Sequence, residues 1–93
     1  MAQHDESTTK RHYICQTYVE KIEGREGLAV LKIGKQFQYT TASQAQERAE
    51  REARAEGCAG ADAYSVEEDL SSGEVSAPVF LVRLGNVPEL DDF

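Results

Sequence analysis

Thr41-Ala42-Ser43-Gln44-Ala45-Gln46-Glu47-Arg48-Ala49-Glu50-Arg51-Glu52-Ala53-Arg54-Ala55-Glu56-Gly57 is the stretch from which the rest of the chain is read. Alanine and straight-chain charged residues fill it, and these lose the least side-chain freedom in a helix. Thr41 followed by Gln44 fits a capping box, in which each side chain satisfies the other residue's backbone N–H. Gly57 stands where a left-handed closing residue is expected. Ala42, Ala45, Ala49 and Ala53 recur at helical spacing and form one stripe. Glu47–Arg51 and Glu50–Arg54 are i,i+4 pairs in the favourable order, each worth about 0.2–0.5 kcal/mol, whereas Arg48–Glu52 runs in the weaker order.

The stripe carries only methyl groups. Burying one such group contributes about 0.8 kcal/mol, against about 1.5–3 for a leucine or phenylalanine side chain. The helix therefore cannot hold itself in place by bulk, and must lie close on a surface that supplies it. A sheet face is the expected surface, with Phe37 and Tyr39 as the side chains on which the helix rests.

Working outward, residues 13–22 read as a strand rich in Tyr, Ile, Thr and Val. Tyr13, Cys15, Thr17 and Val19 share one face, and Ile14, Tyr18 and Ile22 share the other. Glu23-Gly24-Arg25-Glu26-Gly27 is a turn signal. Residues 28–33 form a second strand, whose neighbour-to-neighbour apolar run predicts a central position covered on both sides. Gly34-Lys35 allows a turn or a bulge, so residues 36–40 are either a short third strand or an extension of the second. Beyond the helix, residues 61–68 and 77–84 read as two further strands around a polar loop. In the last strand, Val79, Leu81 and Arg83 share one face, and Phe80, Val82 and Leu84 the other. The expected fold is α+β: an antiparallel sheet of four or five strands with one helix packed on one face. Residues 1–11 read as a disordered leader, 12–85 as a single domain and 86–93 as an acidic tail. The helix covers only one sheet face, so the other is expected to bind a partner or a second copy.

Ninety-three residues allow one domain with a modest core. No apolar run approaches the roughly 18 residues that a membrane span needs. The polar, acid-bearing start does not read as a signal peptide, and a cytoplasmic location is expected. The net charge of −7 is unevenly placed: residues 1–41 carry six cationic and five acidic side chains, residues 42–93 four and twelve. This balance argues against direct nucleic-acid binding, which needs a basic footprint. It suits a partner with a basic surface.

Catalytic and cofactor chemistry finds little to use. His4 and His12 lie at or near the leader, poor places for a positioned base. Gly24, Gly27 and Gly34 match neither phosphate-cradling pattern. Cys15 and Cys58 read as two reduced thiols. His12 and Cys15 have a ligand-like gap, but structural zinc sites show two short-spaced pairs. No enzyme activity, cofactor or metal is expected.

The order of elements across residues 13–84 is hairpin, alanine-rich helix after a Thr cap, then hairpin. In this order the chain resembles several small phage-encoded anti-CRISPR inhibitors. The resemblance implies a non-enzymatic interaction protein that sits on a nucleic-acid-handling complex and blocks it. Under that reading Glu67, Glu68, Asp69 and Glu74 form the acidic contact edge, with Tyr18 and Glu20 as further contacts on the strand face turned away from the helix. A homodimeric structural or assembly protein is the alternative. A third reading rests on Leu90, Asp91, Asp92 and Phe93, which resemble the acidic, Phe-ending tails of bacterial and phage single-stranded-DNA-binding proteins. It implies a replication or repair accessory that docks its terminal Phe and carboxylate in a basic-rimmed apolar pocket.

Overall fold

Thr41 starts the helix by leaving extended geometry, at φ −133° and ψ 154°, and accepting a hydrogen bond from the Gln44 N–H. Only half of the capping box forms, because the Gln44 side chain accepts from the Thr41 hydroxyl at 3.1 Å instead of reaching back to its N–H. A computed structural model describes residues 8–88. In it the chain forms β1 (Thr9–Glu23), β2 (Leu28–Tyr39), α1 (Ala42–Ala53), β3 (Gly60–Asp69) and β4 (Val79–Gly85). The strands make one antiparallel sheet in the order β2-β1-β3-β4, with α1 against one face.

The helix packs as its stripe requires. Ala45 and Ala49 are fully buried against Cys15, Ala61 and Ala63, and Tyr13, Phe37, Tyr39, Val82 and Leu84 close the rim. Small side chains on both surfaces let the backbones approach, while the larger rings fill the sides. Two helix details differ from expectation. The helix ends at Ala53, with Arg54 as its cap, because the chain must turn back at once to enter β3. Gly57, at φ +87°, serves that turn rather than the helix end. The helix ion pair that forms is Arg48–Glu52, at 3.3 Å. Arg48 leans towards the sheet, 4.1 Å over the Phe37 ring, and this places it beside the part-buried Glu52.

The sheet corrects three readings of the strands. β2 is an edge strand, not a central one: the long β1 takes β2 on one side and β3 on the other. Residues 36–39 continue β2 across a bulge at Gly34-Lys35, where the Lys35 N–H donates to the Thr17 hydroxyl at 2.8 Å. A side chain at position 34 would place its Cβ 2.8 Å from that same oxygen. In β4 a register shift sets Tyr64 opposite Phe80 but Ala63 opposite Val82. The strict alternation expected there is broken, and Phe80 joins Arg83 on the face away from the helix. β1 begins at Thr9, inside the stretch expected to be a leader, because residues 9–11 pair with Asp69, Glu68 and Glu67.

Candidate partner-binding surface

The sheet face turned away from α1 divides into two parts with different chemistry. Its centre is polar and closed by the chain itself. Gln36 donates to Gln16, Gln16 to the Tyr18 hydroxyl at 2.8 Å, and Tyr18 to Asp62 Oδ2 at 3.1 Å. Arg83 lies 3.5 Å from the same carboxylate oxygen, rests 4.4 Å over the Phe80 ring and donates to the Pro88 carbonyl at 2.6 Å. Tyr64 packs against Phe80 and donates to Gln16. Asp62 is fully buried, and its Oδ1 has no hydrogen-bond partner among the described residues. Burial pushes its carboxyl above the usual aspartate range; the hydrogen bond from Tyr18 and the charge of Arg83 pull it part of the way back. Burial likewise raises the Tyr18 phenol.

The start of the tail seals this centre. The Asn86 N–H donates to the Ala59 carbonyl at 3.0 Å, and its side chain donates to Glu20 at 3.2 Å. Its backbone crosses directly over Gly60, where a Cβ would fall 2.8 Å from the Asn86 nitrogen and carbonyl carbon and closer still to its oxygen. Only glycine permits that crossing.

The other part of the face is apolar and open. β3 begins at Gly60, opposite Tyr18, so among the described residues β1 and β2 continue alone beyond that point. Residues 19–33 are therefore a two-stranded arm reaching about 17 Å past the last three-stranded rung, at about 3.3 Å per residue. The register sorts its two sides. Ile33 beside Tyr18, Leu31 beside Glu20 and Ala29 beside Ile22 continue the open face. Lys21, Glu23 and Lys32 point the other way, interleaved with Val19, Leu28 and Val30, and Lys32 pairs with Glu23 at 3.1 Å. Ile22 is 69 % exposed and Ile33 60 %. An isolated two-stranded hairpin is marginal in water and needs something packed on it. Large, fully buried groups are scarce elsewhere: among the described residues the largest fully buried side chains are Asp62 and Cys15.

The residues chosen from sequence fall into distinct places. Glu67 and Asp69 share the helix-side face at the far end of β3 from the arm, and with Glu74 and Val75 they line one cleft. Glu68 lies on the opposite face. Three of these four acids already have partners: Glu67 pairs with Arg11, Glu68 meets His12 at 3.0 Å, and Asp69 accepts from the Ser71 N–H and hydroxyl. Tyr18 faces away from the helix, as expected, but is 6 % exposed, so it acts inside the polar centre and not as a surface contact. Glu20 is exposed at the base of the arm and holds Asn86. Leu90, Asp91, Asp92 and Phe93 lie outside the described residues.

Asp62, Arg83 and the arm isoleucines were not singled out from sequence. A signal for the first two exists: Arg83 is the single charge in β4, Asp62 is the single charge in the first seven residues of β3, and the two charges are opposite. His12 and Cys15, three apart on β1, point to opposite faces. Among the described residues no group of three or more His, Cys, Asp or Glu side chains could hold a metal ion, and no helix is long and apolar enough to cross a membrane. The chain matches no family model, and neither a curated protein nor a solved structure is significantly similar to it.

Proposed function

We propose that the protein is a non-catalytic interaction module that engages its partner through the apolar face of the β1–β2 arm. One observation carries this reading: among the described residues the arm has no third strand beside it, yet one side presents Ile22, Leu31 and Ile33 with Glu20 as its single charge, while Lys21, Glu23 and Lys32 lie on the other. Exposed apolar surface that continues from a structured sheet marks an interaction site. The polar centre beside it, closed by Arg83 and Asn86, gives the patch a boundary and a rigid base. The test is partner capture by the intact protein against the Ile22→Lys and Ile33→Glu variants. Capture lost in the variants, with the far-UV spectrum unchanged, supports the reading; equal capture rejects it.

A second reading keeps the resemblance to anti-CRISPR inhibitors and a cytoplasmic, basic-surfaced partner. It is supported by the gathering of Glu67, Asp69 and Glu74 around one cleft at the end opposite the arm. Reversing the charges at Glu67, Glu68 and Asp69 should then weaken capture and reduce its salt sensitivity, and arm substitutions should leave it intact. Deleting residues 89–93 tests the tail reading in the same assay.

A further inference from the structure

Building on the arm reading, we infer that the partner seated on the arm is a second copy of this chain, with the two arms packed face to face and antiparallel about a two-fold axis. Charge identifies the occupant. Residues 19–33 contain three cations, Lys21, Arg25 and Lys32, and three acids, Glu20, Glu23 and Glu26, so the arm is neutral. The whole net charge of −7 lies on the rest of the chain. A basic partner would be drawn to that acidic remainder and gains nothing from a neutral arm. Two copies, by contrast, meet at their neutral arms without repulsion, whereas residues 42–93, with four cations and twelve acids, repel their counterparts.

The same charges set the direction. Parallel arms would bring both acidic bodies side by side; antiparallel arms hold them at opposite ends of the assembly. An isologous contact of this kind sets Ile22 of one copy against Ile33 of the other, twice, and closes at the dimer. Packing is by faces and not by edges. The outer edge of β2 is broken by the Gly34-Lys35 bulge and carries Lys32 and Lys35, the features that discourage strand-to-strand addition. The open face of the arm has a single charge, Glu20, and that one is held by Asn86.

Sedimentation of the full chain over a range of concentrations tests this. The wild type should form a dimer and nothing larger. Ile22→Lys and Ile33→Glu should each weaken self-association by roughly tenfold or more, since each removes apolar burial and puts a charge in its place. Both positions are more than half exposed, so the fold should survive, and circular dichroism checks it. Mixing the two variants should restore the dimer: the introduced lysine of one chain then meets the introduced glutamate of the other, and the second contact stays Ile–Ile. A wild type that is monomeric throughout overturns the inference, as does growth into polymers, a dimer indifferent to both substitutions, or failure of the mixed chains to associate. A monomeric wild type whose partner capture still depends on Ile22 and Ile33 would reject the second copy alone and leave the arm reading standing.

Discussion

The Tyr18 hydroxyl donates to Asp62 Oδ2 at 3.1 Å, on the sheet face turned away from α1. This bond joins the two central strands through side chains and anchors the polar cluster that ends where the arm begins. Tyr18→Phe keeps the ring but leaves a fully buried carboxylate with one donor fewer. A loss of about 1–3 kcal/mol is expected, read by urea unfolding.

Asp62 gives the protein a pH dependence of definite sign. Its folded pKa is raised, so folding favours the protonated form. That contribution is fully present below the ordinary aspartate value of 3.8 and is lost as pH rises through the raised folded value. Asp62→Asn has the same shape and no titration. The stability of the wild type relative to Asp62→Asn should therefore fall across that window as pH rises, and then stay level to neutrality. Urea unfolding of both proteins at a series of pH values measures this; a difference that grows with pH would be the wrong sign.

Gly60→Ala should be costly despite its small size. The new Cβ meets three backbone atoms of Asn86 at 2.8 Å or less, and backbone cannot swing aside as a flexible side chain can. Overpacking of this kind costs about 1–3 kcal/mol, and here it should also lift the residues that bridge Ala59, Glu20 and Arg83. Proteolysis near the C-terminus, compared before and after the substitution, reports that lifting.

The two thiols should react at very different rates. Cys15 lies fully buried between β1 and α1; burial, with help from the Glu52 charge, pushes its pKa up to about 11. Alkylation followed by mass spectrometry should modify Cys58 first, and Cys15 only as the protein unfolds. Because the unfolded thiol ionises near 9.0 and the folded one does not, Cys15 also lowers stability as pH climbs from 9.0 towards 11.

The legible parts of this fold are the local ones. Thr41, the alanine stripe and the turn glycines act within a few residues of themselves, so the helix, the β1–β2 hairpin and the cover of one sheet face could all be read from the chain. Position in the sheet could not. The run Leu28-Ala29-Val30-Leu31-Lys32-Ile33 looks the same whether both its sides are buried or an arm exposes one of them. It belongs to an edge strand because β3 adds to the other side of β1, and to an arm because β1 outlasts β3. The β4 bulge, which brings Phe80 and Arg83 to one face, has no marker in the residues around it. The Asp62–Arg83 pair joins positions 21 apart and is set by that bulge. Glu67, Glu68 and Asp69 could be located at one end of the sheet, but their engagement by Arg11, His12 and Ser71 depends on residues 9–11 pairing with β3, in a stretch whose composition suggests a leader.

Hydrogen exchange of the backbone amides in residues 19–33, followed as the protein is concentrated, tests the arm-to-arm account most directly. In dilute solution the arm should exchange fast, as an unsupported hairpin does, and it should slow with concentration while the centre of the sheet around Cys15 and Ala63 stays unchanged. Arm exchange that is the same at every concentration, or protection that develops at the Glu67–Glu74 end instead, would contradict it.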